Sequence, residues 1–376
     1  MIRKILLAAS LAAANICMAQ KEILFAVKEL PAYHPQGSNI YLAGSFNGWN
    51  PADEHYKFIK DKEGQYSLKV LLSAGKYEYK ITRGDWDKVE TDKAGVNLTN
   101  RSLEVEDNVT VPLSVTEWAD RFPAAKAKST ASKNVQVLDT AFLIPQLKRT
   151  RRISVYLPAS YTKDTKKKYP VLYMQDGQNL FDEATAFSGE WGVDEHLDTQ
   201  TFKECIVVAI DHGNAKRLTE YNPYNNERFG EGEGKAYVEF LAKTLKPFID
   251  KNFRTLKSRE KTFVAGSSMG GLISLYAVMA YPKVFGVAGV FSPAFHVAGE
   301  QLLKDIETEA FKQDIRLFFY AGRMESDNLV TEVTKVADKL RTHDNIRIST
   351  LVSDYGKHTE ADWRKAFPEF YYWLMR

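Results

Sequence analysis

Two patterns of hydrophobic residues divide the chain into two parts. Between residues 22 and 114, apolar side chains alternate with polar ones over short runs, as at Tyr66, Leu68 and Val70. A period of two residues, interrupted by Gly and Asn, is typical of antiparallel β-strands. The pattern therefore predicts an all-β first domain over residues 22–114, in the form of a small immunoglobulin-like sandwich.

From residue 135 to residue 376 the pattern changes. Short apolar runs that suit buried strands alternate with stretches of helical spacing, such as Ala236 to Phe248 and Gly271 to Met279. This alternation predicts a mostly parallel sheet with helices on both faces. The last predicted helix carries Trp363 and Leu374, and Pro368 is expected to end or kink it. The predicted strands are Arg152–Leu157, Val171–Met174, Cys205–Ile210, Thr262–Ala265, Val287–Phe291, Arg316–Tyr320 and Ile346–Val352.

Two segments fall outside these domains. In residues 1–19, Arg3 and Lys4 precede an apolar stretch that ends at the small-x-small sequence 17–19. This arrangement is typical of a cleaved signal peptide and predicts a secreted or periplasmic protein. Residues 115–134 are predicted to be a linker, since the composition turns to Ala, Lys, Ser and Thr without apolar periodicity. No later stretch reaches the ~18 apolar residues of a membrane span.

Composition narrows the range of functions. The formal net charge is +3, whereas a nucleic-acid-binding protein normally carries a strong basic excess, so we expect no nucleic-acid partner. Cys205 is the one cysteine that would remain after signal cleavage, so no internal disulfide is expected. Histidines and cysteines do not cluster at metal-ligand spacing, and the sequence predicts neither a metal nor a cofactor.

A catalytic motif occurs between a predicted strand and a predicted helix. Residues 266–270 read Gly-Ser-Ser-Met-Gly, which is the G-x-S-x-G nucleophile elbow in a strand–turn–helix context. Small neighbours are required because the turn is so sharp that the serine adopts a strained backbone. Ser268 is therefore the predicted nucleophile, at a helix N-terminus that favours developing negative charge.

Chain order indicates candidates for the base and the acid. In proteins with this nucleophile elbow the order along the chain is serine, acid, histidine. Of the two late histidines, His358 follows a predicted strand, whereas His343 precedes it and so lies at the opposite sheet edge. The acid is expected after the strand Arg316–Tyr320, where both Glu325 and Asp327 occur. Spacing alone does not choose between these two carboxylates.

These pieces together resemble the esterase D and enterochelin-esterase-like α/β-hydrolases, a group that includes carbohydrate esterase family 1. The resemblance covers residues 135–376 and implies Ser268 as nucleophile and His358 as base. Feruloyl esterases of this group carry the acid at the position of Glu325, commonly as Asp, so Asp327 stays an alternative. In the related mycolyltransferases the oxyanion donors match the backbone N–H groups of Gln178 and Met269. The matching segments are 152–158, 176–182, 266–271, 322–325, 356–358 and Trp363.

The first domain resembles carbohydrate-binding module families 48 and 20 over residues 42–51 and 75–80. The resemblance implies that Trp49 and Trp86 stack on sugar rings and that Lys80 hydrogen-bonds a hydroxyl. An indole face is flat and apolar, which suits one face of a pyranose. The alternative is that Trp49 packs beneath a turn and that Lys80 is an ordinary surface charge.

The combined prediction is a secreted serine esterase that acts on a polysaccharide or oligosaccharide ester. Family resemblance favours feruloyl or acetyl substituents of a plant polysaccharide such as xylan. A siderophore esterase that cleaves an enterochelin-type trilactone is the first alternative, and an acyltransferase is another. A non-catalytic glycan-binding protein is the rival from a different class.

Overall fold

The described residues of the computed structural model form two compact units, one up to residue 122 and one from residue 128 onward. The signal-peptide prediction for residues 1–19 lies outside the described residues. The structure describes residues 20–122, 128–187, 189–200, 203–226, 230–309, 311–326 and 328–376.

The first unit is all-β, as the alternating pattern predicts. Within the described residues, β3, β4, β1 and β8 form one sheet, β2, β5 and β7 form a second, and β6 pairs with β9. The immunoglobulin-like label stays a prediction. The strands are β1 (Lys21–Glu29), β2 (Tyr41–Gly44), β3 (Ile59–Lys60), β4 (Tyr66–Leu72), β5 (Gly75–Thr82), β6 (Glu90–Thr91), β7 (Arg101–Val105), β8 (Val109–Ser114) and β9 (Glu117–Trp118).

The core of the first unit follows the period of two. In β4, Tyr66, Leu68 and Val70 are buried while the residues between them are not. They pack in one apolar cluster with Phe25 and Trp118. The prediction of purely antiparallel pairing is wrong for one pair, because β1 and β8 run parallel. These strands lie at opposite ends of the unit's sequence, and the long connection permits parallel pairing.

The predicted linker, residues 115–134, is too long at both ends. Strand β9 pairs with β6, and Trp118 is fully buried, so residues 115–122 belong to the first unit. A strand of two residues, such as β9, is too short to show an alternating hydrophobic pattern in the sequence. On the other side, Thr130 Oγ1 donates to Glu190 and Ser132 N donates to Asp194, both at 2.7 Å, within the second unit. Polar anchors of this kind leave no apolar pattern in the sequence.

The second unit contains a mixed sheet in the order β10-β11-β13-β12-β14-β15-β16-β17, counted over the described residues. β10 pairs antiparallel with β11, and β11 with β13, while the remaining neighbours run parallel. This confirms the mostly parallel α/β-hydrolase-like sheet. The strands are β10 (Val135–Ile144), β11 (Arg149–Tyr156), β12 (Val171–Gln175), β13 (Ile206–Ile210), β14 (Thr262–Ser267), β15 (Val287–Phe291), β16 (Ile315–Gly322) and β17 (Ile346–Ser353).

Helices cover both faces of this sheet. Along β12, Val171 and Tyr173 join one apolar cluster, whereas Leu172 and Met174 join the other. The first cluster includes residues of α3 to α7, and the second includes residues of α1 and α8. The helices are α1 (Val193–Asp198), α2 (Arg217–Glu220), α3 (Gly234–Phe240), α4 (Lys246–Asn252), α5 (Met269–Ala280), α6 (Phe295–Thr308), α7 (Leu329–Arg341) and α8 (Glu360–Leu374), with a wider π-helical turn, Leu241–Leu245, between α3 and α4.

Helix α8 continues through Pro368 to Leu374, so the proline does not end it. A proline inside a helix removes one backbone hydrogen bond and costs about 3 kcal/mol. Phe367, Phe370 and Leu374 are buried against the sheet on either side of the proline. Their burial offsets that cost, because each large apolar side chain contributes roughly 1.5–3 kcal/mol.

An ion pair between Glu90 and Arg101 is largely sheltered within the first unit. The Glu90 side chain is 1% exposed and accepts from Arg101 Nε and Nη2 at 2.7–3.0 Å. The backbone N–H of Ile81 also donates to Glu90, at 2.9 Å. Removing one partner of such a pair leaves an uncompensated buried charge.

We therefore predict that Arg101→Met lowers the free energy of unfolding of the first unit by about 3–5 kcal/mol. Urea unfolding of the full chain, followed by circular dichroism, measures the loss. The double variant Glu90→Gln/Arg101→Met should recover more than half of it, since no charge stays buried. Unchanged stability of the single variant would show that the pair does not matter.

Candidate active site

Ser268 stands at the turn between β14 and α5, as the elbow motif predicts. Its backbone has φ 56° and ψ −120°, a strained conformation for a residue with a side chain. The Ser268 N–H donates to Phe291 O at 2.9 Å, and the Ser268 carbonyl accepts from the N–H groups of Gly271 and Leu272, each at 3.1 Å. The neighbouring strand and the first helical turn thus hold the serine in its unfavourable backbone state.

The glycines of the motif are required by close backbone contacts. A Cβ on Gly266 would lie 2.8 Å from the carbonyl of Gly270, and a Cβ on Gly271 would lie 2.9 Å from Phe291 O. Both contacts are to backbone atoms, which cannot rotate away. This agrees with the sequence argument that side chains next to the serine must be absent.

Glu325 and His358 form a hydrogen-bonded pair. Glu325 follows β16, His358 follows β17, and His358 Nδ1 lies 2.7 Å from Glu325 Oε2. The Glu325 side chain is 2% exposed and that of His358 is 44% exposed. A bond at Nδ1 fixes the ring and leaves Nε2 for proton transfer. The alternative acid, Asp327, lies outside the described residues.

A polar network that sequence reasoning missed supports Glu325. The second oxygen, Oε1, accepts from Ser292 Oγ and from the backbone N–H of Gly322, each at 2.7 Å. Ser292 Oγ in turn accepts from Trp363 Nε1 at 2.9 Å. The Trp363 ring also meets the His358 imidazole edge-on, at 5.0 Å between centroids. Trp363 was a visible part of the family pattern, but nothing local marks Ser292.

β14, β15, β16 and β17 run parallel, so their carboxyl ends share one edge of the sheet. Ser268, Ser292, Glu325 and His358 each follow one of these strands. The hydrogen bonds of the described residues do not include one from Ser268 Oγ to His358 Nε2. Such bonds are often long before substrate binds.

The segment with the predicted oxyanion donors begins at Asp176, which follows β12 in a left-handed conformation, φ 56°. A Cβ on Gly177 would lie 2.7 Å from Ile210 N, so only glycine fits there. Arg217 Nε and Nη2 hold the Asp176 carboxylate at 2.7 and 2.8 Å. The N–H groups of Gln178 and Met269 donate to no acceptor among the described residues, which leaves them available to an oxyanion.

Two titratable groups near this segment have shifted pKa values. Burial raises the pKa of Glu360 to about 7, and Asn179 Nδ2 donates to its Oε1 at 3.1 Å. Burial lowers the pKa of His212 to about 4, so its ring is neutral at physiological pH. The backbone N–H of His212 donates to Gln178 Oε1 at 3.2 Å. These contacts fix side chains around the predicted oxyanion segment.

In the first unit, the three residues of the carbohydrate-binding prediction have defined surroundings. The Trp49 and Trp86 rings lie 6.3 Å apart at an interplanar angle of 40°, and both are half-buried. Lys80 Nζ donates to the Leu98 carbonyl, and burial lowers the pKa of the amine. Lys80 is therefore not an ordinary solvated charge, while its role toward sugars stays a prediction.

The helices of the described residues include none with the length and apolar character to cross a membrane. Glu190, Asp194 and Glu195 bring carboxylate oxygens within 4.8 Å of one another, as a cation site requires. The sequence predicts no metal because its histidines and cysteines do not cluster at ligand spacing. That criterion does not include carboxylates, so it did not mark this group.

Two family models match the chain. The model described as Putative esterase matches residues 144–374, and the model of the Pullulanase X25 domain matches residues 36–120. The first match confirms the resemblance to esterases, and the second confirms a carbohydrate-binding-like first domain.

Several relatives match parts of the chain, among them three proteins of Bacillus, Niallia and Xylanibacter. The uncharacterized protein YbbA of Bacillus subtilis (strain 168) is 30% identical over 39% of this chain, which spans 57% of YbbA. An alpha-amylase of Niallia circulans is 42% identical over 24% of the chain and 7% of its own length. An endo-1,4-beta-xylanase/feruloyl esterase of Xylanibacter ruminicola is 28% identical over 56% of the chain and 27% of its own length. The chain thus spans about half of the length of YbbA and much less of the length of the other two relatives.

Solved structures share the fold. A ferulic acid esterase covers 65% of this chain and 99% of its own, with a TM-score of 0.51 and 19% identity. The enterobactin esterase FES from Shigella flexneri covers 89% of this chain and 87% of its own, with a TM-score of 0.52 and 17% identity. The Putative esterase match covers more than half of the chain, from β10 to the end of α8, and includes Ser268, Glu325 and His358; the chain therefore belongs to this esterase family.

Proposed function

We propose that the protein is an exported serine esterase that hydrolyses feruloyl or acetyl substituents of a plant polysaccharide such as xylan. The observation that carries the catalytic part is the 2.7 Å bond between His358 Nδ1 and the buried Glu325, on loops at the sheet edge where Ser268 occupies a strained elbow. This is the combination of nucleophile, base and orienting acid that acyl transfer uses.

In the proposed mechanism, Ser268 Oγ attacks the ester carbonyl while His358 Nε2 accepts its proton. Glu325 holds the ring through Nδ1 and stabilises the imidazolium that forms. The N–H groups of Gln178 and Met269 donate to the oxyanion. His358 then returns the proton to the leaving alcohol. A water molecule, deprotonated by the same histidine, hydrolyses the acyl-enzyme and frees Ser268.

Support for the polysaccharide ester comes from two directions. Residues of this chain match a protein named endo-1,4-beta-xylanase/feruloyl esterase at 28% identity. The first unit matches the Pullulanase X25 domain, so a carbohydrate-binding-like domain precedes the esterase residues. A domain that holds a glycan would concentrate the enzyme on its substrate.

The alternative substrate is a siderophore trilactone. It is favoured by the fold match to the enterobactin esterase FES, which spans 89% of this chain and therefore both units. Under this alternative, the first unit has no sugar to bind. Substrate assays separate the two possibilities, as well as an acyltransferase and a non-catalytic glycan-binding protein.

We predict that Ser268→Ala lowers kcat by about 10⁴-fold or more, because the nucleophile is lost. The measurement is product release from feruloylated or acetylated arabinoxylan and, separately, from an iron-loaded siderophore trilactone. Ser267→Ala is the matched control, since it removes the adjacent hydroxyl of the same motif and should keep most of the activity.

The outcomes of this assay are distinct. Ferulate or acetate released by wild type and not by Ser268→Ala supports the polysaccharide esterase. Cleavage of the trilactone alone would replace it by the siderophore esterase. Equal turnover by wild type and Ser268→Ala would refute serine catalysis, and inactivity of the wild type on every ester would favour the non-catalytic protein.

A second prediction concerns Ser292, a positioning residue that acts through Glu325. Ser292→Ala removes a hydrogen bond to a charged carboxylate, so we expect kcat to fall about tenfold with KM nearly unchanged. A fall in thermal stability with an unchanged kcat would indicate a merely structural role.

A third prediction tests the first unit. Trp86→Ala and Trp49→Ala should each weaken retention of the full chain on an insoluble polysaccharide about tenfold, since each removes one apolar ring face. Sedimentation with insoluble starch and with insoluble xylan measures retention. Ile59→Ala, which removes a 73% exposed apolar side chain of the same unit, is the control. Equal retention of all three variants and wild type would exclude the tryptophans from glycan binding.

A further inference from the structure

Three carboxylates meet in the second unit, apart from the catalytic residues. Glu190, Asp194 and Glu195 each offer one oxygen, and these oxygens all lie within 4.8 Å of one another. Asp194 has no exposed surface, and Glu190 is 4% exposed. Asp194 and Glu195 belong to the first turn of α1, and Glu190 lies in the segment just before it.

Each of the two buried carboxylates has one oxygen that is satisfied and one that is not. Glu190 Oε2 accepts from Thr130 Oγ1, and Asp194 Oδ2 accepts from Ser132 N, both at 2.7 Å. Glu190 Oε1, Asp194 Oδ1 and Glu195 Oε2 are buried and receive no hydrogen bond from the described residues. A buried anionic oxygen without a donor or a cation is strongly unfavourable, so this arrangement requires a positive charge or protons.

The charges of the described side chains do not balance the group. Arg364 Nη2 lies 3.7 Å from Glu195 Oε1. The oxygen of Glu195 that lacks a donor is the other one, Oε2. If ionised, three carboxylates carry three negative charges, of which one guanidinium at this distance offsets at most one.

The donor set favours a hard cation. Carboxylate oxygens without nitrogen or sulfur ligands suit Ca²⁺ or Mg²⁺. Ca²⁺ binds oxygens at about 2.3–2.6 Å, so ligands on opposite sides of the ion lie about 5 Å apart. The three carboxylate oxygens, all within 4.8 Å of one another, are close enough together to contact one such ion. Mg²⁺ usually keeps several of its waters. The burial of Glu190 and Asp194 therefore favours Ca²⁺.

We propose that Glu190, Asp194 and Glu195 form a Ca²⁺-binding site. The ion neutralises the three carboxylates and fixes the segment before α1 to the helix itself. That segment also contacts the predicted oxyanion region, because Trp191 N donates to Asn179 O at 2.8 Å and Val193 N donates to Leu180 O at 3.1 Å. The ring of Trp191 lies 5.6 Å from that of Trp363, which donates to Ser292. The site is thus structural, and it stabilises the residues beneath the catalytic loops.

The experiment uses the full chain after treatment with a chelator. Adding Ca²⁺ alone should raise the melting temperature by about 5 °C or more at a hundredfold excess over Kd. Equilibrium dialysis with metal analysis should find one Ca²⁺ per chain. Mg²⁺ at the same concentration should give a smaller shift, and a larger shift with Mg²⁺ would overturn the choice of ion.

Variants locate the site. Asp194→Asn and Glu195→Gln should abolish both the bound Ca²⁺ and the shift in melting temperature. Glu195 is less buried, so its variant keeps the test valid if Asp194→Asn does not fold. Glu183→Gln is the matched control, since it removes an exposed carboxylate of the preceding loop and should respond to Ca²⁺ as wild type does.

Two results would refute the proposal. One is wild type that binds no Ca²⁺ and shows no shift. The other is a Glu195→Gln chain whose Ca²⁺ response equals that of wild type. Either result, together with an Asp194→Asn chain as stable as wild type, would mean that protons rather than a cation neutralise the buried carboxylates. Ca²⁺ binding and the melting temperature are measured without turnover. This test therefore does not depend on which substrate the enzyme hydrolyses.

Discussion

The structure of the esterase unit depends on one strained residue, Ser268, at the turn from β14 to α5. Positive φ at a serine costs of the order of 1–3 kcal/mol, and the surrounding structure has to outweigh it. Phe291 O accepts the Ser268 N–H, and the Ser268 carbonyl begins the hydrogen bonds of α5. The absence of a side chain at Gly266 and Gly271 lets the strand and helix approach closely enough for these bonds. The result is a side chain at the carboxyl edge of a parallel sheet, where catalytic residues from neighbouring strands can meet.

A second constraint is the burial of the Glu325 carboxylate. A buried carboxylate needs hydrogen-bond donors on both oxygens, because water is excluded. His358, Ser292 and the Gly322 N–H supply them. These residues lie at or just beyond the carboxyl ends of three neighbouring strands, and Trp363 adds α8 to the network. One carboxylate therefore links the loops of three strands and a helix, and this linkage fixes the orientation of the imidazole.

The carboxylates Glu190, Asp194 and Glu195 present the opposite case, since their second oxygens lack donors among the described residues. Glu325 is satisfied by groups of the chain, whereas this cluster is not. A polar network is complete when every buried oxygen has a donor, whereas buried oxygens without donors are typical of a binding site. Both groups are next to the same aromatic layer, because Trp191 and Trp363 pack together. Stabilising one group therefore supports the elements that carry the other.

The sequence alone determined the features that are local or periodic. The period of two predicts the strands of the first unit, and the alternation of buried strands and helices predicts the parallel sheet. The G-x-S-x-G motif predicts the strained serine because its glycines act on adjacent backbone. Chain order leaves two late histidines, of which only His358 follows a predicted strand, and it narrows the acid to two carboxylates. Residue spacing carries no information beyond that.

Tertiary structure decided what depends on contacts between distant residues. The bond from His358 to Glu325, the support from Ser292, and the carboxylate cluster join residues that share no motif and no period. The parallel pairing of β1 with β8 and the inclusion of Trp118 in the first core are of the same kind. A hydrophobic pattern records whether a residue is buried, but it does not record which buried neighbour it meets. For that reason the sequence determined the elements and the position of the elbow serine, and only the packed fold determined their partners.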